Sequence, residues 1–208
     1  MPDARLAVQN ALQTGAAFSR TNEAKRFLAM TDLADKPAQA LAAQSQVEAI
    51  LKSVPDYMPA LMVKAAIAEQ KSDLAMAKRT YEDILNHYPD FAPAQKQLAI
   101  LYAKDPNNNT KAYALAVKAR KAFPDDPEVA KTLGIIVFRQ GDYPRAANLL
   151  QESARQKNQD AELMYYLGMA QYHLKNREQS KTSLQRALDL NLSGTQAVEA
   201  RRILAELK

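Results

Sequence analysis

Residues 133–146 read LGIIVFRQGDYPRA, and residues 167–180, which begin 34 positions later, read LGMAQYHLKNREQS. Each stretch opens on a leucine–glycine pair within an apolar run and ends on a small residue, Ala146 or Ser180. Glycine inside a helix costs roughly 1 kcal/mol relative to alanine, so a glycine that returns at a fixed period has a packing reason. We therefore predict that two helices cross at Gly134, and two more at Gly168, too closely to admit a side chain.

The same period continues toward the amino terminus. Prolines stand 34 and then 35 residues apart in the strings VPDY, YPDF and FPDD, which begin at residues 54, 88 and 123. Because proline cannot continue a helix, each string predicts the end of one helical unit. Self-similarity at this period is typical of stacked helical hairpins, in which one unit buries its apolar face only against its neighbours. A second set of small residues keeps the same period: Ala77, Ala112, Ala146 and Ser180.

The composition favours helix throughout the chain. Five glycines and no tryptophan stand against abundant alanine, leucine, lysine, glutamine and glutamate, all of them good helix formers. No run alternates polar and apolar residues between turn signals, as a strand would. The net charge of +5 is spread along the chain in runs of at most two like charges. Such mixing is typical of a solvated helix surface and argues against a continuous basic stripe for nucleic acid.

The sequence carries no catalytic or metal-binding motif. It has no cysteine, and its two histidines, His87 and His173, do not form a paired metal-ligand spacing. The loop that begins at Asp105 alternates oxygen-bearing residues as a calcium loop does, but Thr110 replaces the turn glycine and Ala116 replaces the bidentate glutamate. No phosphate-binding loop or nucleophile elbow is present. We therefore expect no enzyme activity, no cofactor and no metal.

This register of small residues, larger packing residues and closing prolines resembles the tetratricopeptide repeat family. The resemblance covers residues 22–194 and is strongest over 128–193. It implies an all-α fold, a right-handed α-solenoid of helix-turn-helix repeats that forms a single array over residues 1–208. Pro37 to Lys52 is expected to be the second helix of the first unit, and Thr195 is expected to be the N-cap of a final helix over 195–207. The predicted units span 22–57, 58–91, 92–126, 127–160 and 161–194, after an N-terminal helix near 4–13.

In that family the first helix of each unit lines an inner, concave surface through its second, fifth, ninth, twelfth and thirteenth residues. Members that clamp the terminal carboxylate of a peptide carry lysine at the fifth position and asparagine or arginine at the ninth. The resemblance does not extend to that clamp, because the ninth residue is apolar in the second to fifth units. These four residues are Ala66, Ile100, Ile135 and Met169.

The carried-over positions instead predict an apolar and aromatic strip on the concave surface. Aromatic and arginine side chains are enriched at binding hot spots, and methionine adapts to varied partners. The strip therefore predicts a groove for an amphipathic helix or for an extended segment with acidic flanks. The alternative is that Ile135 and Met169 pack between adjacent helices and that the tyrosines are ordinary half-buried residues. The strip consists of Ile135, Phe138, Tyr165, Met169 and Tyr172, and the cations at its edge are Lys96, Lys104, Lys131 and Arg139.

We expect a non-catalytic scaffold that binds a protein or peptide segment in its concave groove. The alanine-rich repeats resemble those of bacterial proteins, some of which serve envelope assembly or polysaccharide export. Three alternatives stay open: a self-associating structural module, a basic nucleic-acid-binding or regulatory domain, and the repeat part of a larger enzyme. No apolar stretch approaches the ~18 residues that cross a bilayer. The sequence is compatible with both the cytoplasm and the periplasm.

Overall fold

The computed structural model describes residues 2–13, 21–34 and 36–207, and within these ranges it holds thirteen α-helices, one 3-10 turn and no strand. The prediction of an all-α helical-repeat fold is confirmed. The contacts of the chain divide it into two compact units, residues 1–94 and 95–208. The continuity of the repeats as one array over residues 1–208 stays a prediction.

The described residues of the first unit form six helices. Pro37 to Lys52, which we expected to be one helix, is divided at Ala43, so this prediction is wrong. Ala43 adopts φ −92° and ψ 9°, and its N–H donates to the carbonyls of Ala40 and Leu41, which ends the first of the two helices. The helices are α1 (Pro2–Gln13), α2 (Thr21–Ala34), α3 (Pro37–Ala42), α4 (Gln44–Ser53), α5 (Met58–Gln70) and α6 (Leu74–His87).

The core of the first unit forms where α2, α3 and α4 pack on α5 and α5 packs on α6. Tyr81 of α6 is 2% exposed, and its hydroxyl donates to Glu69 Oε1 at 2.7 Å. Burial, together with the charge of Glu69, raises the pKa of Tyr81 above its ordinary value. The hydrogen bond satisfies a polar group that would otherwise be costly to bury. The apolar cluster beside it contains Met30, Ala40, Val47, Ala60, Val63 and Ile67.

The second unit continues the helical pairs. The last helix begins at Gly194 with Ser193 as its N-cap, so the expected cap at Thr195 is wrong. Gly194 has φ +65°, a left-handed conformation that glycine adopts at little cost and that turns the chain into this helix. The helices are α7 (Ala92–Ala103), α8 (Asn109–Ala122), α9 (Pro127–Arg139), α10 (Tyr143–Ala154), α11 (Ala161–His173), α12 (Arg177–Asp189) and α13 (Gly194–Glu206), and Pro106–Asn108 forms a 3-10 turn before α8.

The predicted close crossings at the two glycines are confirmed. A Cβ atom at Gly134 would lie 2.8 Å from Leu150 Cγ, and one at Gly168 would lie 2.7 Å from Leu184 Cγ. Ser180 is fully buried, and its hydroxyl donates to the carbonyl of Gly168 at 2.9 Å. The recurring small residues therefore mark the lines along which α9 meets α10 and α11 meets α12.

Aspartates start several of the helices. Asp126 accepts hydrogen bonds from the N–H groups of Glu128 and Val129, and Asp160 accepts one from the N–H of Leu163. Such caps satisfy amide groups that have no partner inside the helix and are typically worth about 1 kcal/mol. None of the helices in the described ranges has both the length and the apolar sequence needed to cross a membrane.

Candidate functional site

Eight residues of the predicted strip and its cationic edge lie on α7, α9 and α11 of the second unit, and the ninth, Lys104, is exposed just after α7. Three of them are buried: Ile135 is 5% exposed, Met169 is 6% exposed and Tyr165 is 9% exposed. Their side chains therefore pack against neighbouring helices and offer little area to a partner. The remaining five are half-buried: Lys96, Lys131, Phe138, Arg139 and Tyr172.

Phe138 lies at the centre of a cluster of rings. Its centroid is 5.3 Å from that of Tyr166, 5.5 Å from that of Tyr143 and 5.9 Å from that of His173. Tyr143 and His173 stack with centroids 4.0 Å apart and planes only 2° from parallel. Tyr172 joins the cluster, with its centroid 5.8 Å from that of His173. Phe138 and Tyr172 of the predicted strip thus each lie against the ring of His173.

Tyr143 and Tyr166 were missed as members of the site, and His173, the thirteenth residue of its helix and so a carried-over concave position, was left out of the strip. Tyr166 and His173 are seven residues apart in α11, a spacing that places both on one side of the helix. This spacing was a usable signal. Tyr143 gave none of that kind, because it opens α10 just after Gly141, whose φ of +85° sets the turn between the helices.

Arg139 connects three helices at the end of α9. Its Nη1 donates to the carbonyl oxygen of Ala103 at 2.5 Å, and its Nη2 donates to the Tyr166 hydroxyl at 3.3 Å. Ala103 is the last residue of α7, where helix carbonyls lack partners inside the helix and attract a positive charge. Arg139 is therefore held in one position at the rim of the ring cluster.

Lys96 and Lys131 of the predicted edge each reach the first turn of the helix that begins the following pair. Lys96 donates to Asp126, and Lys131 Nζ lies 2.8 Å from Asp160 Oδ2 and 2.9 Å from Glu162 Oε2. Both aspartates are the N-caps described above, so each lysine links one helical pair to the following one. Their positive charges are matched by carboxylates of the chain itself.

The carboxyl groups of these pairs are held in the ionised form. Burial by itself raises the pKa of Asp160, but the hydrogen bonds from Lys131 and the Leu163 N–H, together with the lysine charge, outweigh it and lower the pKa below 3.8. The pKa of Asp126 is lowered in the same way, with Lys96 and the Val129 N–H opposing burial. Burial by itself lowers the pKa of Lys131, but its hydrogen bonds with Asp160 and Glu162 outweigh burial and raise the pKa above its ordinary value.

These lowered pKa values predict a loss of stability in acid. The unfolded carboxyls take up protons near pH 4, whereas the folded ones resist until lower pH. We expect the contribution of these ion pairs to the free energy of unfolding to be fully present above about pH 4. It should be lost as the pH falls through the pKa values of the folded carboxyls. Asp160→Asn keeps a capping oxygen but removes the ion pair, so it should cost about 0.5–1 kcal/mol at pH 7 after allowance for solvent screening.

Urea unfolding of the full chain across this pH range measures the effect. The matched control is Asp125→Asn. Asp125 is an exposed aspartate beside Asp126, and its backbone carbonyl, not its carboxyl, accepts a hydrogen bond from Gln156. The difference between Asp160→Asn and the parent should shrink as the pH falls below 4. An equal response of both variants to acid would show that the Lys131 pair does not stabilise the fold.

The last helix extends this face beyond the predicted residues. The Tyr172 hydroxyl donates to Glu206 Oε2 at 2.7 Å, and Arg202 pairs with both Glu206 and Glu199. Burial, together with the charge of Glu199, raises the pKa of Tyr165 to about 12. These α13 residues were not predicted because they follow the last carried-over repeat position.

The tetratricopeptide repeat family model matches this unit, over residues 98–161 and 131–178. Residues 98–178 carry tetratricopeptide repeats. A tetratricopeptide repeat-containing protein of Pseudomonas aeruginosa is 31% identical to this chain over 118 residues, which make up 57% of this chain. The match covers 20% of that relative, so the repeats correspond to about a fifth of the longer protein.

Solved structures share the fold of these tetratricopeptide repeats. YrrB, described as a tetratricopeptide repeat protein with an unusual peptide-binding site, has a TM-score of 0.63 and 17% identity, with 90% of this chain and 100% of that chain covered. PilW, a widely conserved type IV pilus biogenesis factor, has a TM-score of 0.61 and 17% identity, with coverages of 92% and 91%. At this identity the likeness concerns the fold alone. The family model matched over residues 98–178 describes a repeat that is typical of non-catalytic protein-interaction scaffolds.

Proposed function

We propose that the second unit binds a peptide or protein segment in a concave groove across α9, α11 and α13. Phe138, Arg139 and Tyr172 are the three residues of the strip and its cationic edge that are both half-exposed and joined through the ring cluster. This joined, half-exposed set is the observation that carries the proposal. Aromatic and arginine residues of this kind supply most of the energy of protein interfaces.

The side chains have separate tasks in this proposal. Phe138 and Tyr172 offer ring edges to an apolar side chain of the ligand. Arg139 uses two donors within the chain, and a guanidinium has five, so donors are left for a carbonyl or carboxylate of the ligand. The buried Ile135, Tyr165 and Met169 support this surface from beneath, which lowers the entropy cost of ordering it on binding.

The structure also changes the ligand that the surface favours. Lys96 and Lys131 are paired with carboxylates of the chain, and Glu199 and Glu206 add negative charge beside Arg202. A segment anchored by a large apolar side chain fits this mixed surface better than one chosen for acidic flanks alone. An amphipathic helix and an extended segment both satisfy this requirement.

A role in a bacterial envelope assembly or export system is the cellular setting that we propose. It is supported by the alanine-rich bacterial type of the repeats and by the fold shared with PilW, whose own description is a pilus biogenesis factor. Fractionation of the source cells with an antibody to the chain would test this setting. A purely cytoplasmic distribution without any envelope-associated partner would contradict it.

The test of binding starts from the full chain, used to capture partners that mass spectrometry then identifies. The double variant Phe138→Ala and Tyr172→Ala should weaken binding of the purified partner at least about tenfold, as expected for hot-spot aromatics. Tyr113→Ala is the matched control, because Tyr113 is a half-buried tyrosine of α8 whose hydroxyl bonds only to Arg145 among the contacts found.

The outcome separates the alternatives. Unchanged affinity in the double variant with native circular dichroism would place binding elsewhere. A chain that captures only itself, with a concentration-dependent mass in sedimentation, would favour the self-associating module. Binding to mixed oligonucleotides that weakens steeply with salt would favour the nucleic-acid-binding domain.

A further inference from the structure

A second groove lies in the first unit, between α4 and the α5–α6 pair, and the strip of the second unit has no part in it. The space measures about 430 Å³, which is within the size range of ligand sites. Its apolar lining is formed by aliphatic and methionine side chains, of which Met76 is 40% exposed. The apolar lining residues are Val47, Leu51, Ile67, Ala68 and Met76.

Lys64 explains why this space is open. In the 34-residue register, Lys64 stands where the three following units carry Leu98, Leu133 and Leu167. Those leucines are 3%, 3% and 6% exposed, whereas Lys64 is exposed at the rim of the groove. The position that the three following units use for core packing therefore holds a charged side chain in this unit. Stability alone does not account for that choice, because leucine would bury more apolar area.

The charges around the groove are arranged unevenly. Three lysines line it, and Lys71 spans it, with its Nζ donating to Gln44 Oε1 at 2.6 Å. Within the described residues, Lys52 and Lys64 make no ion pair. The two acidic residues of the lining are already engaged: Glu48 accepts from Gln44, and Asp73 caps α6 by accepting from the Met76 N–H.

We propose that this groove binds a short acidic, amphipathic segment of a partner protein, with one or two large apolar side chains on the apolar floor and carboxylates on Lys52 and Lys64. The lining on α4 runs from Gln44 to Lys52, which corresponds to about 12 Å of helix, or two turns. This length suits a helical segment that presents anchors at spacings of three and four. The groove is independent of the proposed strip, since each lies within its own unit.

The probe is a fluorescein-labelled helical peptide of about 12 residues with leucine at spacings of three and four and glutamate elsewhere. Fluorescence anisotropy with the full chain should show binding that weakens as salt is raised. A sister peptide with lysine in place of glutamate should bind at least about tenfold more weakly. Equal binding of the two peptides, or no binding of the acidic one, would overturn the proposal.

Lys64→Leu restores the residue of the other units and is the decisive variant. It should fill the groove, raise the midpoint temperature of unfolding and weaken binding of the acidic peptide at least about tenfold. Lys118→Leu makes the same change at an exposed site of α8 and should leave binding unaltered. Lys64→Gln keeps the groove open, so it should weaken binding only about threefold and flatten the salt dependence.

Two further results would also overturn the proposal. Loss of peptide binding in the Phe138→Ala and Tyr172→Ala double variant would show that the peptide binds to the second unit. Binding of dodecanoate, but not of the peptide, to the parent chain in a Lys64-dependent manner would identify the groove as a site for an anionic lipid chain instead.

Discussion

Gly168→Leu is expected to lower the free energy of unfolding of the second unit by about 2–4 kcal/mol. Even a bare Cβ atom at this position would lie 2.7 Å from Leu184 Cγ and 3.0 Å from the backbone nitrogen of Leu184. A rotamer change of Leu184 relieves the first contact but leaves the second. The two helices must therefore separate, which exposes Leu184, a residue that is now fully buried.

Helix propensity acts in the opposite direction and is too small to compensate. Replacing a helical glycine by leucine gains roughly 1 kcal/mol, whereas overpacking against backbone typically costs 1–3 kcal/mol or more, before buried surface is lost. Urea unfolding followed by far-ultraviolet circular dichroism measures the balance. Ala114→Leu, at an exposed position of α8, controls for the added leucine and should change stability by less than about 0.5 kcal/mol. An unchanged unfolding curve for Gly168→Leu would contradict the close crossing.

The second large effect separates two tyrosines of the predicted strip. Tyr165→Ala is expected to cost about 3–5 kcal/mol, because its ring is 9% exposed and its removal leaves a cavity beside Tyr166, whose centroid lies 5.2 Å away. Tyr172→Ala is expected to cost less than about 1 kcal/mol, because that ring is half-exposed and loses mainly the surface hydrogen bond to Glu206.

Equilibrium unfolding of both variants, with Tyr165→Phe as the conservative control, tests this difference. The phenylalanine variant keeps the ring and should stay within about 1 kcal/mol of the parent. Equal losses from the two alanine variants would mean that the rings are equally buried, contrary to the structure. The result also decides which variants are suitable for binding studies, since a partner assay with Tyr165→Ala would mix unfolding with lost contact.

The helical pairs could be predicted because their signals are local. Gly134 and Gly168 mark crossings between helices that are consecutive in the chain, so the periodic small residues were sufficient to find them. The break at Ala43 could not be found in this way, because the residues around it are good helix formers. Both α3 and α4 pack on α5, and this packing, rather than local helix propensity, accounts for the turn between them.

The sequence by itself determined the repeat, the helical pairs and the set of positions from which a binding surface is drawn. Only the tertiary structure decided which of those side chains are exposed and which are paired. Lys131 meets Asp160 and Tyr172 meets Glu206, in each case about one repeat farther along the chain. Burial and charge pairing depend on the neighbours that stacking supplies, and a helical spacing does not contain that information. For the same reason, the open groove beside Lys64 depends on the packing of α4 against the α5–α6 pair and is absent from the repeat pattern.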